Sequence, residues 1–197
     1  MATADLDRLA SLSGWVAMVA LILSGIALAL FFGGAGEFWG PVNDALIVVT
    51  AIALLPVVAA VVRMAGDRGA PWVILISVIA AAGLILIAVG QTLLIVGRLS
   101  LDGSYVTGGI GVTPVIAWIV LVAILALGTG VLPSRTGWLA VLTLVAIVVF
   151  SVTAAMTLGP VLWVEAVALV AVISLFLGSL ATTFADGASI ARAAATA

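Results

Sequence analysis

The segment from Pro71 to Gly97 reads PWVILISVIAAAGLILIAVGQTLLIVG and contains no charged residue. A transmembrane helix needs about 20 consecutive, mainly apolar residues to cross the hydrocarbon core of a bilayer. The segment is long enough to cross it and to tilt or emerge from it. It therefore predicts a membrane-spanning helix, and the rest of the chain repeats its pattern.

Five further apolar stretches occupy most of the remaining chain, and the short gaps between them carry nearly every charge. We therefore predict an all-α fold, a polytopic membrane helical bundle with six transmembrane helices in one integral membrane domain. Pro56 predicts a kink in the second stretch because proline lacks a backbone N–H. The predicted spans cover residues 12–32, 44–62, 71–97, 113–132, 137–157 and 161–184.

The composition excludes a water-soluble fold and much reactive chemistry. Hydrophobic residues make up 66% of the chain and charged residues only 7%, whereas soluble domains have about 25% charged residues. The chain contains no Cys, His or Lys. Their absence excludes thiol catalysis, histidine-bound haem, zinc sites of Cys/His type and lysine Schiff bases. We therefore expect neither a cofactor nor a metal site.

The few charges point to a membrane setting and set the expected orientation. A net charge of −2 indicates no nucleic-acid partner, and an all-arginine cation set is compatible with a high-GC bacterial source. The leader from Asp5 to Arg8 is net acidic, unlike a signal peptide, so we expect the first helix to be retained. Short loops rich in Arg stay cytoplasmic. Only Arg98 falls on one side of the predicted spans, and five arginines fall on the other: Arg8, Arg63, Arg68, Arg135 and Arg192. This bias predicts a cell-membrane protein with both termini cytoplasmic and with Arg98 outside.

Aromatic and proline residues recur near the predicted helix starts. Each outward-going helix opens near a Trp, and each returning helix opens with Pro-Val at Pro41, Pro114 or Pro160. Three related helical hairpins would explain this, but the unequal Trp spacings favour convergent use of interface residues. Trp and Tyr favour the headgroup layer. The predicted interface anchors are Trp15, Trp39, Trp72, Trp138, Trp163 and Tyr105.

The outer loops and the small residues carry further expectations. The loop over residues 98–109 has a predicted turn at Asp102-Gly103, and Asn43 or Asp44 is a candidate cap for the second helix. Small side chains let helices approach closely in membranes. The candidates for such contacts are Ala20, Ser24, Ala80, Gly83 and Gly90.

Four polar residues fall in or beside the outer halves of the spans: Asp44, Gln91, Arg98 and Glu165. Glu165 is the most unusual because ionisable groups within spans usually face a bundle interior or a water-filled cavity. Arg98 is its candidate partner, and that of Asp44. The cluster, walled by Trp39, Trp118 and Trp163, is either an interhelical packing network or an outward-open pocket for a small polar molecule, cation or lipid headgroup. We expect Trp118 and Trp163 to lie at the interface rather than to stack on a ligand.

Three classes of function remain open from the sequence. The preferred one is a structural, accessory or assembly role, with the lipid bilayer, a homo-oligomer or a membrane complex as partner. The alternative is a small transporter, channel or ligand-binding protein with a pocket around Glu165 and Arg98. A lipid-modifying enzyme is the least favoured, because its acids would have to approach each other closely.

Overall fold

The computed structural model describes residues 3–66, 71–156 and 160–196. Expectations that concern Arg68 and the side chains of Trp163 and Arg192 lie outside the described residues. The described chain forms six helices and no strand, which confirms the predicted all-α fold. Each helix is long and apolar enough to cross a membrane. The helices are α1 (Thr3–Phe32), α2 (Trp39–Ala65), α3 (Pro71–Ile95), α4 (Leu101–Leu127), α5 (Ser134–Met156) and α6 (Pro160–Thr196).

Several helices extend beyond the predicted spans. Helix α4 begins at Leu101, so the expected turn at Asp102-Gly103 is wrong, and both residues lie in the first helical turn. Ser100 caps this helix, because its Oγ accepts a hydrogen bond from the Gly103 N–H at 3.1 Å. Helix α2 begins at Trp39, and its N-cap position is Phe38. The expected cap at Asn43 or Asp44 is therefore wrong, and both residues lie inside the helix.

The six helices pack as a closed ring. Each helix packs against its neighbours in sequence, α6 packs back against α1, and α2 also touches α6. The hairpins are therefore not separate units. A Cβ placed on Gly187 of α6 would lie 3.5 Å from Asp7 Oδ2 of α1. The two chain ends thus lie on one side of the ring, here called the terminal side, and the opposite side is the far side.

Small residues bring neighbouring helices into close contact, as the sequence predicts. All five predicted small residues are buried. A Cβ on Gly83 of α3 would lie 2.5 Å from the carbonyl oxygen of Gly111 in α4, and a Cβ on Gly90 would lie 2.7 Å from Thr107 Oγ1. Neither position accommodates a side chain without a shift. The α3–α4 interface therefore depends on glycine, which is typical of packing between membrane helices.

The core is unevenly distributed between the two sides of the ring. The largest buried side chains of α6, Phe176, Leu180 and Phe184, lie toward the terminal side. On the far side, no described side chain is buried in residues 144–156 of α5 or 164–173 of α6. The other four helices do carry buried residues there, including Ser24, Ala27, Asn43, Gly90 and Ser104. The ring is therefore closed on the terminal side and loosely packed along α5 and α6 on the far side.

Candidate functional site

Asp44 belongs to a chain of hydrogen bonds between α1 and α2. The buried Ser24 hydroxyl donates to Asn43 Oδ1 at 2.6 Å, and Asn43 Nδ2 donates to Asp44 Oδ1 at 3.2 Å. Ser24 and Asn43 are fixed by this pairing, and Asp44 is half-buried beside them. The chain joins the far-side halves of two adjacent helices, as an interhelical packing network does.

Gln91 lies on the inward face of α3. It continues a stripe of buried residues at helical spacing, Val73, Ser77, Ala80 and Leu84. Its Oε1 atom is buried and has no hydrogen-bond partner. Since a buried amide oxygen without a donor is costly, Gln91 is a candidate for contact with a ligand.

Glu165 lies on the far-side half of α6. It follows Pro160 by five residues, which places it about 7–8 Å along the helix axis. Ser179 of the same helix hydrogen-bonds Thr136 of α5, with 2.7 Å between their hydroxyl oxygens. Glu165 precedes Ser179 by about four turns, so it lies on the side of α6 that faces α5. Its Oε2 atom is buried and has no hydrogen-bond partner.

Arg98 does not pair with either acid. It is exposed in the link between α3 and α4, and among the described residues it forms no ion pair with Glu165 or Asp44, whereas Arg63 pairs with Asp7. The expected pairing of Arg98 with Glu165 or Asp44 is therefore wrong. Asp44 is held in the α1–α2 interface, whereas Gln91 and Glu165 stand on α3 and α6, which are not neighbours in the ring. A shared pocket for these residues stays a prediction.

Trp118 is not an interface anchor. It is only 2% exposed and packs within the hydrophobic core, so the expectation for this residue is wrong. Its indole Nε1 has no hydrogen-bond partner, and neither have the buried hydroxyls of Ser77 and Ser174. Its mid-helix position on the inward face of α4 accounts for the burial. Hydropathy alone does not distinguish that face from the lipid face.

The other aromatic candidates keep exposed or half-buried positions. Trp15, Trp72, Trp138 and Tyr105 are exposed. Trp39 is half-buried and contacts Phe38 edge to face, with 5.6 Å between the ring centroids. Their role as interface anchors stays a prediction.

The salt bridge between Asp7 of α1 and Arg63 of α2 was not predicted from the sequence. Asp7 is 3% exposed and begins a buried stripe on α1 that continues through Ala10, Gly14 and Ala17. That spacing of three and four residues was a usable signal. A charged residue in register with small buried ones predicts a partner on the adjoining helix.

The outer surface of the ring has apolar grooves that contain none of the four candidate residues. One groove of about 340 Å³ lies between α2 and α3 and is lined by residues such as Val48, Ile52, Leu84 and Val89. Another lies between α1 and α2 beside Trp15. Both grooves face outward from the ring, where lipid chains are expected to fill them.

No group of three or more His, Cys, Asp or Glu side chains comes together among the residues that the structure describes. No family model, curated protein or solved structure matches this chain. The chemistry and packing of its own residues are therefore the basis for inferring a function.

Proposed function

We propose that this chain is a multi-pass protein of the cell membrane with a structural, accessory or assembly role. One observation carries the proposal: polar side chains of the described residues pair across adjacent helices. Asp7 pairs with Arg63 and Ser24 with Asn43 between α1 and α2, and Thr136 pairs with Ser179 between α5 and α6. Such contacts stabilise helix packing.

Both termini are cytoplasmic in this proposal. Arg8 and Arg63 lie on helix ends at the terminal side, and Arg135 lies at the start of α5 on the same side. Arg98 is in a far-side link. Retention of short Arg-rich loops in the cytoplasm supports this orientation.

An accessory or assembly role predicts a complex larger than one chain. The test is to extract the tagged protein in a mild detergent and to measure the mass of the complex by native mass spectrometry. The proposal predicts a mass above that of one tagged chain (19.7 kDa plus the tag), because a second copy or another membrane protein is bound. Glu165→Gln should leave that mass unchanged. A monomer, or a complex that dissociates in Glu165→Gln, would contradict it.

A second candidate function is binding or transport of a small molecule from the far side. The unpartnered acceptor atoms of Glu165 and Gln91 favour it, as does the loose packing of α5 and α6 there. Acids within membrane spans are costly and usually serve a pathway or a ligand. Glu165→Gln is then expected to abolish binding or flux in proteoliposomes. Glu37→Gln is the matched control because Glu37 is exposed in the α1–α2 link.

A lipid-modifying enzyme has the least support. General acid–base chemistry needs two groups within reach of one substrate. Asp44 accepts a hydrogen bond from Asn43 on α2, whereas Glu165 lies on the α5-facing side of α6. The two candidate acids therefore stand on different helices, and Asp44 already has a partner.

A further inference from the structure

The inward face of α5 becomes accessible on the far side of the ring. On the terminal-side half of α5, the three residues Thr136, Ala140 and Thr143 form a stripe that is fully buried. The same stripe continues at helical spacing through Ile147, which is half-buried, to Ala154, which is exposed. The face of α5 that seals the ring at one end is therefore open at the other.

Helix α6 shows the same change along its length. Phe176, Leu177 and Leu180 are buried, whereas Ala166, Leu169 and Ile173 on the inward side are only half-buried. The opening therefore lies between two adjacent helices rather than at one helix end, and Glu165 stands on its α6 wall.

The unpartnered polar atoms at this depth lack a hydrogen-bond donor. Glu165 Oε2 is a carboxylate oxygen and Gln91 Oε1 is an amide oxygen, and both types of atom accept hydrogen bonds. Gln91 lies about 6 Å from the far-side end of α3, close to the depth of Glu165 in α6. A ligand that satisfies them must donate hydrogen bonds, and a positive charge would favour its contact with the acid.

The walls of the opening require that such a ligand also be partly hydrocarbon. The inward residues that line it, Ile147 of α5 and Ala166, Leu169 and Ile173 of α6, are apolar and half-buried. The acid lies about 7–8 Å along its helix, near the depth at which lipid headgroups meet acyl chains. A molecule entering from the leaflet would place its polar end at Glu165 and its chains against these apolar side chains.

We infer that the far-side opening between α5 and α6 binds a lipid with a primary-amine headgroup, whose ammonium group contacts Glu165. The inference rests on the second proposed function, ligand binding, and names the ligand class and its path of entry. An ammonium group offers three donors, which can satisfy the carboxylate of Glu165.

The test measures lipid retention by native mass spectrometry on the whole protein. Phosphatidylethanolamine and phosphatidylglycerol with the same acyl chains are the probes, and Glu37→Gln is the control. We expect the protein to retain phosphatidylethanolamine in preference to phosphatidylglycerol. Glu165→Gln should weaken that retention about tenfold, as expected for the loss of one charge-assisted hydrogen bond. Equal retention of both lipids, or no effect of Glu165→Gln, would overturn the inference.

Two further arms separate the possible failures. Ala154→Trp fills the opening and leaves the acid in the chain, so it should also reduce retention of phosphatidylethanolamine. Unchanged retention would exclude this path of entry. Free ethanolamine in the millimolar range should compete poorly. If free ethanolamine competes strongly and this competition requires Glu165, the lipid inference is overturned, but Glu165 still belongs to a ligand site. If neither phosphatidylethanolamine nor free ethanolamine depends on Glu165 for binding, the proposal of ligand binding is itself overturned.

Discussion

Asp7 of α1 and Arg63 of α2 form a salt bridge at the terminal side of the ring. Asp7 is almost fully buried, whereas about a third of the Arg63 side chain is exposed. Gly187 of α6 lies against the same carboxylate. Three helices therefore meet at one acid, on the side where the ring is closed.

This asymmetry predicts unequal effects of removing each partner. Arg63→Gln leaves a buried carboxylate without a cation and should lower the free energy of unfolding by about 3 kcal/mol. Asp7→Asn leaves a partly exposed guanidinium and should cost less. Unfolding by SDS in mixed micelles measures both, with Asp5→Asn, an exposed acid on the same helix, as control. Equal stability of Arg63→Gln and the control would show that the pair is not stabilising.

The glycines of the α3–α4 interface give a matched pair of substitutions. Gly83→Ala places a Cβ against backbone of α4 and should destabilise the protein by about 1–3 kcal/mol. Gly108→Ala meets nothing within 4 Å and should be neutral or stabilising by up to about 1 kcal/mol, because alanine favours the helix. The same unfolding assay measures both. Opposite signs are expected, and a Gly83→Ala protein as stable as Gly108→Ala would contradict the close packing.

The hydrogen bond from Ser24 to Asn43 should contribute measurably to the α1–α2 interface. Ser24→Ala removes the donor and should cost about 0.6 kcal/mol, the average for such bonds in membranes, and at most about 1.7 kcal/mol. A double-mutant cycle with Asn43→Ala should return a coupling energy of that size. Ser151→Ala is the control because Ser151 is exposed and bonds only its own helix at Ile147. A coupling energy near zero would show that the contact is incidental.

Much of the fold could be predicted from the sequence because apolar length and glycine placement are local signals. The six spans and the contacts of Gly83 and Gly90 follow from them. The start of α4 could not be predicted in this way. Its glycine-rich first turns, which resemble a loop, are helical because Ser100 caps them and because Gly111 packs against α3.

The candidate site was less predictable because it depends on which way each helix faces. Sequence spacing places Gln91 and Arg98 two turns apart on one face, yet α3 ends at Ile95 and Arg98 lies in the following link. Trp118 faces inward and Arg98 outward. The rotation of each helix about its own axis is fixed by packing against its neighbours, and hydropathy does not report that packing.

Glu165 should be a source of instability in the protein without ligand. One carboxyl oxygen of the half-buried Glu165 is buried without a partner. Replacing the acid by an apolar side chain removes that desolvation cost, so Glu165→Met should raise the free energy of unfolding by about 1–3 kcal/mol. Unfolding in mixed micelles without added lipid measures this, with Glu37→Met as the exposed control. A loss of stability in Glu165→Met would indicate that the acid has a structural partner instead.

The most direct test of the account is labelling of single cysteines by a membrane-impermeant maleimide, since the chain has no native cysteine. Ala35→Cys and Asp102→Cys lie in exposed positions on the far side, and Asp5→Cys and Ser134→Cys lie in exposed positions on the terminal side. In intact cells the first two should be labelled, and the other two should react only after permeabilisation. Labelling of Asp5→Cys or Ser134→Cys together with Ala35→Cys or Asp102→Cys in intact cells would contradict six membrane crossings with both ends in the cytoplasm.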